Sequence, residues 1–345
     1  MAKKRELTAV GGDVFAGLFT VGIKQAGFRV AAHLEHSTYG AKTCRLNHPE
    51  VRLYHGVASW PAAEDFPPVD LMFTNPPCAL WSAARVKNIK TNYLTDPRNT
   101  WVPDLVDAAL GLKARAFVWE SVTNAWKNGR PYVLDQAQRF ANAGYSVTVI
   151  LQNNMYLGVP QNRPRMLFVA HRHPLVRPPL QDPITVREAL RGLKVPKRDK
   201  VELAPHLAKL WAMSENGRTL WDNHQLLEVK EREGHTAPSF LCKRARFDRV
   251  GHVLLGGLDK QLHPTESRYF TYAEYLRLAA APPDWQSAGS LSAATGELSR
   301  AVMPPVGYWL GCAVRDGLAK PALRTPQYKL VNLLKPEAPY TEDLW

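Results

Sequence analysis

Short apolar runs alternate with amphipathic stretches along the first half of the chain. Six runs have the pattern of buried strands, at 7–10, 28–35, 69–73, 114–120, 145–152 and 165–170. The stretches at 18–27, 102–112 and 133–144 repeat apolar residues at helical spacing. Strands that alternate with helices predict an α/β fold with a doubly wound, mostly parallel sheet, in which ligands bind beyond the carboxyl ends of the strands.

The pattern changes after residue 171, where prolines and scattered charges replace the regular alternation. We expect residues 1–171 to form the first domain and 172–264 a second, smaller and less regular one. Helical spacing at 297–315 predicts that residues 265–319 return to the first domain. The polar, proline-rich stretch 320–345 predicts a loosely packed C-terminal extension.

Composition adds a strong positive charge to this picture. The chain has 345 residues, of which 45% are apolar, and 44 Lys+Arg against 31 Asp+Glu give a net charge of +13. The apolar fraction is enough for a folded core. The charge favours a polyanionic partner such as nucleic acid, although a basic enzyme without a nucleic-acid role has the same composition.

The cysteines and the N-terminal residues indicate the cellular compartment of the protein. The four cysteines are widely spaced and form no CxxC pair, so we expect neither a disulfide framework nor a metal site. The N-terminus lacks the apolar core of a signal peptide, and nowhere do about 18 apolar residues run together. These features predict a cytoplasmic protein that does not enter a membrane.

Cys78 is the first residue with candidate chemistry. It follows the predicted strand 69–73 and the rigid turn Pro76-Pro77. A thiol on such a turn, at the carboxyl end of a strand, is well presented as a nucleophile. A buried structural cysteine is the alternative.

Two further positions add charge at predicted strand ends. Glu120 follows four apolar or aromatic residues, where a buried charge is expensive, so it either faces a site or caps a helix. Gln161, Arg163 and Arg165 alternate as the last strand begins, either towards the same site or along a solvated strand edge.

These motifs together resemble those of the DNA (cytosine-5) methyltransferases. The family's Pro-Cys motif matches NPPCALWS around Cys78, its Glu-Asn-Val motif matches Glu120–Val122, and its Gln-x-Arg-x-Arg motif matches Gln161–Arg165. Further matches are 26–50, SRAVMPP at 299–305, and Arg268, Phe270, Thr271 and Glu274 followed by Arg277-Leu278. Six motifs in the family order identify the chain as a divergent member.

The resemblance implies a class I S-adenosylmethionine-dependent fold with a target-recognition domain at 172–264. It implies that Cys78 adds to C6 of a cytosine flipped out of the duplex. Glu120 would bind N3 and the exocyclic amine of the base. Arg165 would hold the base O2, with Arg163 near the nucleophile or the backbone.

The implied partner is double-stranded DNA, bound by a monomer. A polar loop at 79–100 is the expected clamp over the flipped base, and residues of the second domain are expected to contact phosphates. The predicted DNA-binding residues are Arg85, Lys87, Lys90, Gln161, Lys243, Arg244 and Arg246.

The implied donor pocket departs from the family pattern. By resemblance, S-adenosylmethionine would be held by Phe15, Gly17, Glu35, Asn75 and Pro77. The glycine-rich loop is shortened, with Leu18-Phe19-Thr20 where further glycines are expected. The aspartate that contacts the adenine in the family corresponds to Val57.

Arg300 stands where the family has asparagine, near the reactive end of the donor. A fixed cation beside a sulfonium is unfavourable unless an anion lies between them. One hypothesis is a donor with a carboxylate, carboxy-S-adenosylmethionine, gripped by Arg300 and giving 5-carboxymethylcytosine. The alternative is that Arg300 faces a phosphate or pairs with an acid such as Glu297, and that the product is ordinary 5-methylcytosine.

Other classes remain to be weighed. A tRNA cytosine methyltransferase of the same fold shares most of these motifs. A catalytically dead DNA-binding relative would lack the intact Cys78, Glu120 and Arg165. A nucleotide-dependent dehydrogenase would need a full GxGxxG loop after the first strand, which is absent. We expect a prokaryotic or viral origin.

Overall fold

The structure, a computed structural model, describes residues 5–36, 38–56, 60–61, 66–78, 81, 100–220, 242–256 and 261–344. The chain divides into two compact units. Unit 1 comprises Met1–Asn154, Pro164–Leu180 and Ala301–Trp345, and unit 2 comprises Met155–Arg163 and Gln181–Arg300. Residues 265–300, which the sequence pattern assigns to the first domain, group with unit 2.

A nine-stranded sheet forms the centre of unit 1. Its strands are β1 (Leu7–Gly12), β2 (Phe28–Glu35), β3 (Arg52–His55), β4 (Leu71–Thr74), β5 (Ala116–Val122), β6 (Ser146–Asn153), β7 (Pro164–His171), β10 (Tyr328–Leu333) and β11 (Tyr340–Asp343). The strand order is β11-β10-β6-β7-β5-β4-β1-β2-β3. Neighbouring strands are parallel except where β7 meets β5 and β6 and where β11 meets β10. The predicted doubly wound, mostly parallel sheet is confirmed.

The helices described by the structure alternate with these strands in unit 1 and are shorter in unit 2. They are α1 (Leu18–Gln25), α2 (Thr38–Asn47), α3 (Trp101–Gly111), α4 (Thr123–Asn142), α5 (Val186–Ala189), α6 (Pro205–Met213), α7 (Tyr272–Leu278), α8 (Leu291–Arg300) and α9 (Pro304–Leu318). Unit 2 also contains the short strands β8 (Lys243–Arg244) and β9 (Gln261–Leu262), which pair in parallel.

Three predicted elements differ from the structure, each for an identifiable reason. Helix α4 begins ten residues before the predicted start at 133, because a non-helical Gly129 before Pro131 lets the chain kink and continue. The helix expected at 297–315 is split between α8 and α9 ahead of Pro304-Pro305. The tail expected to be loose instead supplies β10, which pairs with β6 along the strand and buries Leu330 to 2% exposure.

The core of unit 1 follows from the central strands being apolar on both faces. Every residue of β4 is buried, as are the first six of β5. Helices α3 and α4 cover one face of the sheet, where Leu105 and Phe140 pack into the same cluster as Phe117 and Phe168. Central strands buried on both faces hold the strand ends rigidly, which is what a site built at those ends requires.

Helices α1 and α9 pack at close range through glycines. A Cβ on Gly22 of α1 would overlap the carbonyl oxygen of Pro304 and lie 2.8 Å from the Cα of Gly307. A Cβ on Gly311 would lie 2.5 Å from the Cβ of Ala26. The two backbones therefore approach more closely than side chains at these positions would allow.

A buried ion pair stabilises the segment before α7 in unit 2. The guanidinium of Arg268 is held by Glu274, with Nη1 to Oε2 at 2.7 Å, and by Glu266, with Nε to Oε2 at 2.9 Å. Glu274 also completes a capping box with Thr271 at the start of α7. The Arg268 guanidinium keeps the pKa of Glu266 low, at about 2. One arginine thus joins α7 to the segment before it.

Arg244 in unit 2 has a structural environment, which contrasts with its predicted contact with DNA. Its guanidinium lies 3.8 Å from the centre of the Trp211 ring. It donates to the backbone carbonyls of Trp211, Ser214 and Pro264 at 3.1, 2.7 and 2.9 Å. Burial lowers the pKa of Arg244. These contacts use the guanidinium within unit 2 and give no support to the predicted phosphate contact.

We expect Gly22→Ala to destabilise the protein by at least about 2 kcal/mol, because an added methyl group forces α1 away from α9. Gly111→Ala is the matched control, since a Cβ there meets nothing within 4 Å at the end of α3. That variant should be neutral or more stable by about 0.5 kcal/mol. Urea unfolding of both variants measures the difference, and equal stabilities would contradict the close helix contact.

Arg244→Met and Arg246→Met provide a second test, on unit 2. We expect Arg244→Met to lower the stability by about 2 kcal/mol, because three carbonyls lose a charged donor. Arg246 is exposed and pairs only with the exposed Asp248 among the contacts described, so Arg246→Met should stay within about 0.5 kcal/mol of wild type. Thermal unfolding compares the two. Unchanged stability in both variants would contradict a structural role for Arg244 and would favour its predicted contact with DNA phosphates.

Candidate active site

The turn after β4 carries the candidate nucleophile. Asn75 continues the strand pairing, with its backbone N–H donating to the carbonyl of Gly12 at 3.2 Å. Pro76 and Pro77 then fix the backbone φ angles and end the strand. Cys78 follows with a half-buried side chain, whereas Cys44, Cys242 and Cys312 are buried. Of these four thiols, the one at the strand end is the most accessible.

Glu120 lies near the end of β5, next to this turn, and is held from two sides. Its residue exposure is 3%. The side-chain amide of Asn75 donates to Oε2 at 2.9 Å, and Nε of Arg165 pairs with Oε1 at 3.0 Å. We call Asn75, Glu120 and Arg165 the carboxylate cluster. Its guanidinium offsets the cost of burying the Glu120 carboxylate.

The register of two antiparallel strands brings Arg165 to Glu120. On β5 and β7, Val122 pairs with Arg165 and Glu120 with Leu167. Residues two apart on a strand share a face, so Arg165 and Glu120 are diagonal neighbours on one face of the sheet. The antiparallel direction of β7 places its first residues at the edge where β4 and β5 end. Cys78 and Arg165 lie at strand ends as predicted, whereas β5 continues two residues beyond Glu120, to Val122.

The other two residues of the Gln-x-Arg-x-Arg motif belong to unit 2. Gln161 is fully buried, donates to the Leu278 carbonyl at 2.7 Å and accepts from the Leu254 N–H at 3.0 Å. Arg163 is 1% exposed and donates to the Ser299 carbonyl at 2.9 Å. These contacts contribute to packing within unit 2. They give no support to the predicted contact of Gln161 with DNA.

A strained loop follows β1, where the donor pocket is predicted. Phe15–Gly17 form a single 3-10 turn, and φ is positive at Phe15 (34°), Ala16 (64°) and Gly17 (92°). Asp13, just before, also has a positive φ of 47°. Left-handed backbone in residues with side chains is costly and is characteristic of functional loops. The shortened loop therefore adopts the left-handed backbone of a glycine-rich loop with only one glycine.

Glu35 and His36 lie at the carboxyl end of β2. Glu35 is 1% exposed. The backbone N–H of His36 donates to Asp13 Oδ1 at 2.9 Å, and its ring Nδ1 lies 2.7 Å from the same oxygen. The ring stacks on Trp101 with centroids 4.6 Å apart and an interplanar angle of 9°, and meets the edge of Trp60 at 5.0 Å.

A cavity of about 380 Å³ opens beside this aromatic group. Its lining is mainly apolar with two carboxylates: Leu34, Trp60, Pro61, Phe66, Asp104, Asp107, Ala108, Gly111 and Leu112. A pocket of this size and lining accommodates a purine, and a buried acid at the adjacent strand end suits ribose hydroxyls. Leu34 directly precedes Glu35, so the cavity lies beside one of the residues predicted to hold the donor, although none of those residues lines it.

Several predicted site residues do not join these groups. Pro77 is exposed, next to Cys78. Arg300 is the exposed last residue of α8 and belongs to unit 2. Val57 and the loop residues Arg85, Lys87, Lys90 and Arg98 lie outside the described residues.

Three polar side chains near the predicted donor pocket have no role assigned to them from the sequence. Asp13, His36 and His48 are such residues, and the structure ties each to a strand end or to the loop after β1. A usable signal existed for His36, since it directly follows Glu35 at the end of a predicted strand. His48 belongs to the Asn-His-Pro of the matched stretch 26–50, but that motif does not reveal the hydrogen bond of His48 to a backbone carbonyl.

The described residues contain neither a metal-binding cluster nor a membrane-spanning helix. No group of three or more His, Cys, Asp or Glu side chains there is arranged to hold a metal ion. No helix in those residues combines the length and the apolar character needed to cross a membrane.

Comparison with curated sequences finds bacterial relatives. The chain is 31% identical over 167 residues to Type II methyltransferase M.DdeI of Desulfomicrobium norvegicum, a match that covers 46% of this chain and only 39% of that protein. It is 25% identical over 326 residues to Type II methyltransferase M.NgoMIV of Neisseria gonorrhoeae, covering 88% of this chain and 96% of that protein.

Comparison with solved structures finds proteins of similar fold, and a family model matches most of the chain. The structure of Entamoeba histolytica methyltransferase EhMeth is similar in fold, with a TM-score of 0.64, 13% identity, and coverage of 92% of this chain and 100% of that one. The model for C-5 cytosine-specific DNA methylases matches residues 11–314. That match spans both units and all the residues of the carboxylate cluster, and the chain belongs to the C-5 cytosine-specific DNA methylase family.

Proposed function

We propose that this protein transfers a carbon group from an S-adenosylmethionine-type donor to C5 of cytosine in double-stranded DNA. The observation that carries the proposal is the carboxylate cluster beside the Cys78 turn. The turn provides an accessible thiol, and the cluster beside it provides a buried acid, Glu120, that Asn75 and Arg165 hold in one orientation. Family membership supplies the substrate class.

Cys78 is the proposed nucleophile. Carbon C5 of cytosine is a poor nucleophile until a thiolate adds at C6. When the Cys78 thiolate forms the bond to C6, the electron pair of the C5–C6 double bond is delocalised over C5, C4 and N3, and C5 becomes nucleophilic. The rigid Pro76-Pro77 turn fixes the direction from which Sγ approaches.

The carboxylate cluster would stabilise the charge that this addition creates on the ring. Glu120 can accept a hydrogen bond from the exocyclic amine and, by sharing a proton, can bond N3. Arg165 supplies positive charge on the side of the base O2. Asn75 already donates to Oε2 at 2.9 Å, so the orientation of Glu120 is set before the base arrives.

The donor, when bound, supplies an electrophilic carbon on a sulfonium to C5. Phe15, Gly17 and Glu35 are the residues proposed to hold it, and the family resemblance adds Asn75 and Pro77. Transfer is completed when C5 loses its proton to a base and the bond from Sγ of Cys78 to C6 breaks, which restores the aromatic ring and the free thiolate.

DNA binding is the proposed role of the positive charge. The cytosine must leave the stack before Cys78 can reach it, which costs a few kcal/mol. Phosphate contacts offset that cost, and the net charge of +13 favours them. We assign these contacts to Lys243, to Arg246 and to the predicted loop 79–100 with Arg85, Lys87 and Lys90.

The transferred group is a finer proposal, and we favour a carboxymethyl group from carboxy-S-adenosylmethionine. Its support is Arg300, an arginine at the family's asparagine position. A guanidinium grips a carboxylate in a bidentate pair, and that anion would separate it from the sulfonium. The alternative product remains 5-methylcytosine.

Covalent trapping tests the proposed nucleophile. A duplex with 5-fluorocytosine at the target position has no C5 proton to lose, so after transfer the bond from Cys78 to C6 persists. Wild type should form an adduct that survives denaturing electrophoresis, and Cys78→Ser should form none. Cys312→Ala, which removes a thiol on α9, should trap like wild type. A Cys78→Ser adduct would contradict the assignment, and trapping of tRNA in preference to the duplex would contradict the DNA substrate.

Mass analysis of nucleosides tests the proposed donor. After reaction with S-adenosylmethionine or its carboxylated form, digested DNA should contain more 5-carboxymethylcytosine than 5-methylcytosine at equal donor concentration. Arg300→Asn should lower the carboxymethyl yield at least about tenfold, the effect of one lost charged hydrogen-bonded pair. Arg324→Asn, on the exposed chain after α9, is the control. An Arg300→Asn enzyme with both yields unchanged would contradict the carboxylate clamp.

A further inference from the structure

The loop at Phe15–Gly17, here named the donor loop, has a backbone conformation that requires stabilising contacts. Three consecutive residues have positive φ, and two of them carry side chains. Each non-glycine residue in this region costs on the order of 1 kcal/mol or more. Such a backbone persists only when its surroundings fix it.

His48 contacts the last carbonyl of the donor loop. Its ring Nε2 lies 2.8 Å from the oxygen of Gly17, and its ring Nδ1 lies 3.0 Å from Nζ of Lys24. An ammonium group can only donate a hydrogen bond, so Nδ1 must accept. The ring proton is therefore on Nε2, which donates to the Gly17 carbonyl. Lys24 thus selects the tautomer that binds the loop.

The imidazole also fills the space under the loop. A Cβ on Gly17 would lie 2.7 Å from Cδ2 of His48 and 3.2 Å from Sγ of Cys44. The backbone N–H of His48 donates to the carbonyl of Cys44 at 2.8 Å, which fixes the residue at the end of α2. Gly17 can therefore carry no side chain, and the ring has little freedom to move.

Electrostatics keep this ring neutral. Burial, with a smaller contribution from the Lys24 ammonium, lowers the pKa of His48 to about 4. Lys24 is itself paired with Glu50, whose pKa it lowers. At neutral pH the pair therefore has one arrangement: a charged lysine, a neutral imidazole and a proton directed at the loop.

We propose that His48 and Lys24 are positioning residues that hold the donor loop in its binding conformation. The inference rests on the proposed function, because it takes this loop to be the wall of the donor site. It explains how a loop with one glycine keeps the left-handed backbone that several glycines would otherwise favour. The clamp replaces glycine's conformational freedom with a hydrogen bond and packing from below.

Binding of S-adenosylhomocysteine, the product that both candidate donors leave, tests the clamp by calorimetry on the full chain. His48→Leu keeps the volume but removes the donor, and should weaken binding about tenfold, equivalent to one hydrogen bond. His48→Gln, whose amide can donate from a position like that of Nε2, should restore binding to within about threefold of wild type. Lys24→Met should fall between them.

Lys42→Met is the matched control, since Lys42 is an exposed lysine on α2. It should bind like wild type. In turnover assays, His48→Leu should raise KM for the donor with kcat nearly unchanged, because the residue acts through binding. Affinity for duplex DNA without donor should be the same in all variants, which separates loop positioning from general misfolding.

The outcomes separate the two proposals. A wild-type protein that does not bind S-adenosylhomocysteine would overturn the proposed function. Wild-type binding with unchanged affinity in His48→Leu would overturn the clamp alone, as would equal weakening by His48→Leu and His48→Gln. If His48→Leu fails to fold, Lys24→Met decides, because its side chain is 31% exposed: unchanged affinity in this variant overturns the clamp.

Discussion

The buried pair between Glu120 and Arg165 is the interaction on which the arrangement of the site depends. A carboxylate at 3% exposure is stable only with a partner, and that partner comes from a strand running in the opposite direction to β5. If β7 ran parallel to β5, its first residues, including Arg165, would lie at the edge of the sheet opposite to Glu120. Asn75 then links the pair to the turn that carries Cys78. One ion pair therefore couples three strands to one reaction centre.

The donor side uses a different principle. The proposed donor site depends on the backbone conformation at the end of β1, where one imidazole lies under Gly17 and a second, held by Asp13, lies beside Trp101. The two halves of the site thus differ in what they demand of the protein. The proposed base site needs charged groups that are buried from water, and the proposed donor site needs a fixed backbone conformation.

The sequence allowed the sheet and the chemistry at its edge to be predicted. Alternating apolar runs located β2 to the residue, and the family resemblance predicted one site for Cys78, Glu120 and Arg165, of which the structure pairs Glu120 with Arg165. Long-range pairing was harder, because the β10 segment has a weak local pattern and becomes a strand only through β6. The hydrogen bonds of Arg244 to three carbonyls were likewise invisible, since a basic run has the same letters whether its guanidinium faces phosphate or backbone.

The pairing of β10 with β6 has a consequence for how the protein is made. Leu330 and its neighbours bind a strand that precedes them by about 180 positions, so the outer edge of β6 stays uncovered until residue 333 has left the ribosome. During that interval Val149 and Leu151 belong to an exposed edge strand, the kind of surface that recruits other chains. The protein is therefore vulnerable to aggregation during its synthesis, until β10 pairs with β6.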